Sequence, residues 1–483
     1  MHISLTDSLS AGPLTLVLLT PESLKATQAA LKSALPKDLK LTEADGAKEA
    51  VLRYHTPGQQ WLVYGMGPAA DVKTDAVRKL LHKAVGEANA TKQTSLQVAL
   101  LGLAQHDDAR LMAMALGEMP VLSNYQFLVH KTQDVKPNTL KDVHVLTDLP
   151  EAKSLLKQAK TVAQAVCLTR DLVNEPPNVI TAEALADQAK KHGKAAGLSV
   201  KVLGKKEIEE LKMGGLLAVN RGSALPPTFT IIEYKPKKAR NKKPVVLVGK
   251  GIVFDTGGLS LKPTPGSMDS MKCDMAGAAT VIGAMVAIAE NELPVHVVGL
   301  LPATDNRPGY DAYTPNDVVT MMSGLKVEVL NTDAEGRMIL GDALHYAKRY
   351  EPELVIDLAT LTGAAVIALG SHATAAMSTA DPAVLAQLAA AGDRTNERIA
   401  ELPLWDEYGE MIKSDVADIK NIGGKGAGTI TAGKFLQRFT DYPWIHLDIA
   451  GTAYLEGSLG WKPKYATGTC VRLLHEFLAH YSA

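Results

Sequence analysis

At 483 residues the chain is longer than one ordinary hydrophobic core, so two or three domains are expected. Hydrophobic residues make up 46% and charged residues 21%, the balance of a soluble globular protein. A net charge of −1 and a sequence pI of about 6.9 favour neither nucleic acid nor an anionic membrane as partner.

Residues 1–150 mix strand-like runs (14–19, 61–65, 96–103) with helical ones (74–89, 108–116), which predicts an N-terminal α/β domain. That domain carries no catalytic motif, and His55, His82 and His106 are not spaced as metal ligands. The N-terminus lacks a basic segment, and the apolar run 14–19 is too short for a signal core. Residues 151–173 read as one long amphipathic helix, a link between domains, which Asn174-Glu175-Pro176-Pro177-Asn178 stops abruptly. Residues 174–483 then form the larger domain, which begins with a helix at 181–196 and strands at 199–202 and 228–234.

The basic run Lys235, Lys237, Lys238, Arg240, Lys242 and Lys243 lies between two strands and includes Pro236. It reads as a solvated hairpin loop rather than a nucleic-acid patch. Strands at 245–249, 295–301, 326–330, 353–358 and 444–448 then alternate with helices. The fold class expected is α/β, a smaller N-terminal α/β domain plus a larger C-terminal one with a mostly parallel sheet covered on both faces. The longest largely apolar stretch, 275–289, spans 15 residues rich in Ala and Gly, and reads as a buried helix rather than a membrane span. Cys167, Cys273 and Cys470 form no CxxC pair, which argues against disulfides or a zinc–thiolate site and fits a reducing compartment. A soluble, cytoplasmic protein is expected.

Two polar blocks carry the chemistry. The first, Asn331-Thr332-Asp333-Ala334-Glu335-Gly336-Arg337, separates the strand-like Val327-Glu328-Val329-Leu330 from a stretch with helical periodicity at 338–350. Two carboxylates and a guanidinium therefore meet where a strand ends and a helix begins, the edge at which open α/β sheets bind ligands. Asp333 and Glu335 can aim oxygens at a divalent ion, Gly336 permits a tight turn, and Arg337 offers a planar fork to a small oxyanion. Capping of the following helix is the plainer reading of the two acids.

A second block shifts the weight towards a site. It follows the apolar Val245-Val246-Leu247-Val248 and contains Lys250, Asp255, Lys262 and Asp274 among glycines. Asp255, Asp274, Asp333 and Glu335 supply four carboxylates, enough to neutralise two divalent ions; the donor set suits Mn²⁺ or Mg²⁺ and admits Zn²⁺, with Co²⁺ a further alternative. Packed together without metal, such acids repel and some stay protonated. Lys250 has two readings, an ion-pair partner of the acids or a deprotonated amine ligand. His345, two turns into the helix, reads as a packing residue.

The sequence 331–337, taken with 248–258, Lys262 and Asp274, resembles the signature of the leucine aminopeptidase (cytosol aminopeptidase) family. The resemblance extends through Asp171-Leu172-Val173-Asn174-Glu175-Pro176-Pro177-Asn178 to Asp448-Ile449-Ala450-Gly451, covers roughly residues 160–483 and leaves the N-terminal third unsupported. It implies a metal-dependent aminopeptidase that releases N-terminal, leucine-like residues from peptides through a metal-bridged water. One metal is implied at Asp255, Asp333 and Glu335, and a second at Lys250, Asp255, Asp274 and Glu335, which tips Lys250 to the ligand role. Lys262 matches the lysine that polarises the scissile carbonyl, and Arg337 the arginine that holds a bicarbonate acting as general base. Met271, Asn331, Thr360, Leu361, Gly363 and Ala450 fall on the substrate side, although Met271 reads equally well as core. A homo-oligomer, a hexamer, is implied too.

The segment Gly428-Thr429-Ile430-Thr431-Ala432-Gly433-Lys434-Phe435 has the GxxxxGK spacing of a phosphate loop, but Phe435 replaces the Ser/Thr that would bind Mg²⁺ and no strand precedes it. A packed helix is expected there instead. Lys434 stands where many relatives carry a small or apolar residue. The competing function is a catalytically silent protein that binds a partner through its N-terminal domain.

Overall fold

The computed structural model describes residues 1–10, 12 and 14–481. The chain divides into two compact units, Met1–Cys167 with Leu459–Lys462, and Leu168–Ser458 with Pro463–Ala483.

The first unit contains strands β1 (His2–Leu5), β2 (Leu14–Leu19), β3 (Val51–Thr56), β4 (Gln59–Gly65), β5 (Ser95–Leu100) and β6 (Asp142–Thr147), in the order β1-β6-β5-β2-β4-β3. Every pairing is parallel except β3 with β4. Central β2 is buried along its whole length, as a sheet covered on both faces requires, whereas edge strand β3 alternates between exposed and half-buried positions. Helices α1 (Leu24–Leu31), α2 (Thr74–Ala90) and α3 (Ala109–Ser123) complete the unit. Helix α3 runs past the predicted end at 116 and through Pro120. Helix α4 (Ala152–Asn174) is the expected long helix, and the division between the units falls inside it.

The second unit holds β7 (Ser199–Leu203), β8 (Thr228–Tyr234), β9 (Val245–Gly249), β10 (Gly251–Asp255), β11 (Val297–Asn306), β12 (Val318–Thr320), β13 (Lys326–Glu328), β14 (Leu354–Ala359), β15 (Thr374–Ser378), β16 (Ile399–Glu401), β17 (Ile419–Lys420) and β18 (Trp444–Asp448). Its main sheet runs β16-β15-β18-β14-β9-β11-β8-β7, with β10 beside β11. The central run β18-β14-β9-β11 is parallel throughout. The helices are α5 (Ala182–Ala195), α6 (Lys205–Glu210), α7 (Gly214–Asn220), α8 (Ala276–Glu290), α9 (Glu335–Ala347), α10 (Gly363–Leu369), α11 (Pro382–Thr395), α12 (Asp406–Glu410), α13 (Gly428–Gln437) and α14 (Val471–His480). One buried cluster joins the sheet to α5, α8, α11 and α14, and another joins it to α7, α9 and α13, so both faces are covered.

Helix α8 is the apolar stretch expected to be buried, and every residue from Ala276 to Ala289 is. Small residues let it lie close on the sheet; a Cβ at Gly277 would come 2.1 Å from the Leu358 carbonyl oxygen. The predicted phosphate-loop look-alike is α13, with Thr431, Gly433 and Lys434 buried in it.

Two expectations fail. Strands β8 and β9 are not a hairpin, because β11 lies between them, antiparallel to β8 and parallel to β9. The basic run therefore crosses the end of β11, and Arg240 donates to the carbonyls of Leu478 and Ala479 at the end of α14 (3.0 Å each). The strand expected at 326–330 shortens to β13 and belongs to a separate three-stranded sheet with β12 and β17.

Candidate metal centre and active site

The strands β9, β10, β11, β14 and β18 end on one edge of the main sheet, and the chemistry of the two polar blocks collects there. Lys250 directly follows β9, Asp255 and Asn306 are the last residues of β10 and β11, and Thr360 follows β14. Asp274 comes from the 3-10 helix Met268–Met275 that leads into α8, and Glu335 opens α9. This is the position at which parallel sheets bind ligands.

Oxygens of Asp255, Asp333 and Glu335 lie within 4.8 Å of one another. Lys262 Nζ is 2.9 Å from Asp255 Oδ2 and also pairs with Asp333 Oδ1. Lys250 Nζ contacts Asp274 Oδ1 at 2.8 Å, Glu335 Oε1 at 2.9 Å and the Thr360 carbonyl at 2.9 Å. Here Lys250 is an ion-pair partner. Gly336 gives this lysine room rather than a turn: it sits within α9, and a Cβ there would come 2.5 Å from Lys250 Cε. The turn demand falls instead on Gly257 and Gly258, with φ of +85° and +64°.

Four carboxylates face two ammonium groups, so the site is electrostatically short of cations. Burial pushes Asp274 well above the usual carboxylate range, and Glu335 and Asp255 add to the rise. Burial and then Glu335 raise Asp255. Asp333 is pushed up to about 7 by burial, with Asp255 and Glu335 contributing. Glu335 moves the other way, because Lys250 and Lys262 outweigh its burial. Burial pulls both lysines down, yet the surrounding carboxylates hold them above the ordinary lysine value. Buried Asp274 Oδ2 and Glu335 Oε2 have no hydrogen-bond partner among the described residues. An excess of acid, converging oxygens and unpartnered lone pairs together fit divalent cations.

Arg337 donates from Nη1 to the Asn421 carbonyl (2.7 Å), and its buried Nε has no hydrogen-bond partner among the described residues. Burial lowers this guanidinium to about 10 despite Glu335, Asp448 and Asp333 nearby. An unpartnered, buried cationic donor suits a small anion. His345, its pKa lowered by burial, lies on α9 outside the acid cluster.

A cavity of about 160 Å³ opens beside the cluster and is bordered by Met271, Thr360, Leu361, Gly363 and Ala450 as well as the acids and lysines. Asn331 does not border it; its Oδ1 accepts from the Asp333 amide (2.8 Å) and its carbonyl from Asn421 Nδ2 (2.7 Å), bracing the acidic turn. Sequence reasoning missed Asn306. Its Nδ2 donates to Asp255 Oδ1 (2.8 Å) and to the Thr332 carbonyl (3.0 Å), tying the two acidic segments together. Tyr313 Oη donates to the same carbonyl (2.8 Å). The signal available was Thr304-Asp305-Asn306, a polar run closing an apolar strand at the same edge. Thr362 and Cys273 also border the cavity, within the segments 360–363 and 271–274 that the sequence pointed to, whereas Val366 carried no signal of its own.

Comparison with known proteins gives two family matches. Residues 167–475 match the catalytic domain of the cytosol aminopeptidase family, and residues 17–134 match its N-terminal domain. A probable cytosol aminopeptidase of Geobacter sulfurreducens is 45% identical over 464 residues, covering 93% of this chain and 91% of that protein. One from Chlorobaculum tepidum is 51% identical over 358 residues, 73% of this chain and 70% of that protein. Among solved structures, a mutant of tomato leucine aminopeptidase aligns with a TM-score of 0.86 at 30% identity, over 100% of this chain and 97% of that one. The bottromycin maturation enzyme BotP in complex with Mn aligns with a TM-score of 0.84 at 34% identity, over 98% of this chain and 100% of that one.

Proposed function

The chain belongs to the cytosol aminopeptidase family and is an aminopeptidase of that hydrolase class, and from this premise we propose that it releases leucine-like residues from the N-termini of peptides at the β9–β14 sheet edge. The observation that carries the reading is the convergence of Asp255, Asp333 and Glu335 within 4.8 Å beside Lys262. Asp255, Asp333 and Glu335 would hold one divalent ion, and Lys250, Asp255, Asp274 and Glu335 a second, Mn²⁺ or Zn²⁺, with Mg²⁺ or Co²⁺ as alternatives. When bound, such ions supply Lewis acidity and activate water at neutral pH.

The remaining roles belong to the chain itself. Lys262 is 14% exposed on its side chain, so its ammonium can reach a substrate carbonyl while staying close to Asp255. It stabilises the oxygen as negative charge develops there. Arg337, with its free Nε donor, would hold a bicarbonate that serves as general base. Lys250 serves as a ligand only after losing its proton, which requires cations to replace it as counter-charge to the acids. Met271, Thr360, Leu361, Gly363 and Ala450 present a small, partly apolar cavity to one side chain, and Asn331 holds the Asp333 turn in place. A cytoplasmic homo-hexamer fits the family resemblance. The intact acid cluster argues against a silent binding protein.

The test is hydrolysis of a leucine anilide before and after chelation, with Mn²⁺ or Zn²⁺ returned. Activity is expected to vanish with the chelator and to recover with metal. Chelator-resistant activity would sink the metal assignment, and faster turnover of a charged or aromatic anilide than of leucine would sink the specificity.

A further inference from the structure

We propose that Asp448 is the positioning residue for substrate selection: a single carboxylate clasps together the two chain segments that border the side-chain cavity. Asp448 is the last residue of β18 and is 1% exposed. Its Oδ1 accepts the Leu361 amide at 3.1 Å and the Ala450 amide at 3.2 Å. Its Oδ2 accepts the Thr362 hydroxyl at 2.7 Å. Leu361 and Thr362 belong to the segment after β14, and Ala450 to the segment after β18; all three border the cavity.

Thr362 carries the clasp further. Its Oγ1 receives the Ala365 amide at 3.1 Å, which caps the start of α10, and lies 2.9 Å from Thr429 Oγ1 on α13. Helix α10 brings Val366 to the cavity wall. The other end of the same segment is fixed separately, since Thr360 Oγ1 donates to Asp274 Oδ1 at 2.7 Å and the Thr360 carbonyl receives Lys250 Nζ at 2.9 Å. Asp448 thus sets the width of the cavity, while the acids and Lys250 anchor its inner end.

The residue type follows from the donors. Two amides and a hydroxyl all point hydrogens at one buried place, and an ionised carboxylate accepts from every one of them. An asparagine keeps one accepting oxygen and turns an NH₂ towards Thr362. An alanine removes every contact and frees both segments.

This inference rests on reading the cavity as the side-chain pocket of an aminopeptidase. The experiment measures kcat and KM for alanine, leucine, methionine and phenylalanine anilides, together with Mn²⁺ affinity, for the parent protein, Asp448→Asn, Asp448→Ala and Thr362→Val. The expected result is a fall of about tenfold in the preference for leucine over alanine in Asp448→Ala, carried by KM, with smaller falls in Asp448→Asn and Thr362→Val. Mn²⁺ affinity should stay within about threefold of the parent, which is what distinguishes loss of a pocket wall from collapse of the whole sheet edge. Equal loss for all four substrates, or a parallel loss of Mn²⁺ affinity, overturns the proposal. Thr362→Val keeps both amide contacts, so it decides the matter if Asp448→Ala does not fold; unchanged preference there also overturns it. A parent that hydrolyses all four alike would instead remove the pocket reading, and this inference with it.

Discussion

Four almost wholly buried acids of the catalytic unit fall into two kinds. Asp342 on α9 and Asp357 in β14 are 1% and 0% exposed, and each is matched by donors. Asp342 accepts the Leu216 amide at 3.0 Å on one oxygen and the Met322 amide at 2.8 Å on the other. Asp357 accepts Trp444 Nε1 at 2.6 Å on one oxygen and faces His446 Nδ1 with the other. Asp274 and Glu335 are 3% and 2% exposed, and each keeps an oxygen with no hydrogen-bond partner among the described residues. Depth of burial therefore does not mark the site. Among these four, a surplus of acceptors over donors does, because a buried carboxylate kept only for stability is better matched by donors than left with dry lone pairs.

If the surplus is functional, changes in the two groups should separate activity from stability. The largest effect is expected for Asp333→Ala, with hydrolysis of a leucine anilide lost to the limit of detection and the circular dichroism of the parent retained. Asp333 is partly exposed, with 29% of its side chain accessible, and its partner Lys262 keeps Asp255. Near-normal turnover in this variant would break the distinction. Asp357→Ala should do the reverse. It strips Trp444 and the buried His446 of their shared partner, and losing one side of a buried pair costs about 3–5 kcal/mol. A lower denaturant midpoint with parent-like Mn²⁺ binding is the expected reading, and an unchanged midpoint would count against it.

The same contrast explains what the sequence made legible. Asp255, Asp274, Asp333 and Glu335 lie in two polar, glycine-bearing blocks that interrupt apolar runs, and the blocks end up at one sheet edge because parallel strands share a direction. Asp342 and Asp357 are single acids within apolar elements, Met338-Ile339-Leu340-Gly341-Asp342 and Leu354-Val355-Ile356-Asp357, and nothing local tells a buried, satisfied acid from an exposed one. Strand pairing was hidden for a related reason. Strands β8 and β9 are neighbours in sequence, but β11 comes between them because a parallel partner for β9 must arrive through a crossover helix, here α8. Asn306 escaped notice because a neutral amide announces no charge, although it joins the two acidic segments.

The smallest effect expected is a pH slope, and it separates the two kinds of acid most finely. Asp333 and Asp342 are both pushed up to about 7, by burial first in each case; Asp255 and Glu335 add to the rise at Asp333, whereas backbone amides oppose it at Asp342. A carboxyl whose folded value lies above its unfolded value of about 3.9 holds a proton that the unfolded chain has released. Stability then falls as pH rises from about 4 to about 7 and changes no further beyond, since both states are ionised there. Chelated protein should therefore unfold at lower denaturant at pH 7.5 than at pH 5. Saturating Mn²⁺ should remove the share that comes from the acid cluster, because a cation favours the ionised form. It should leave the share from Asp342, which is buried with an amide donor on each oxygen. Asp342→Asn should flatten that residual slope while costing one amide hydrogen bond. Slopes that coincide with and without Mn²⁺ would mean that the cluster does not titrate in this range, and that its unpartnered oxygens are matched in solution by something other than a metal.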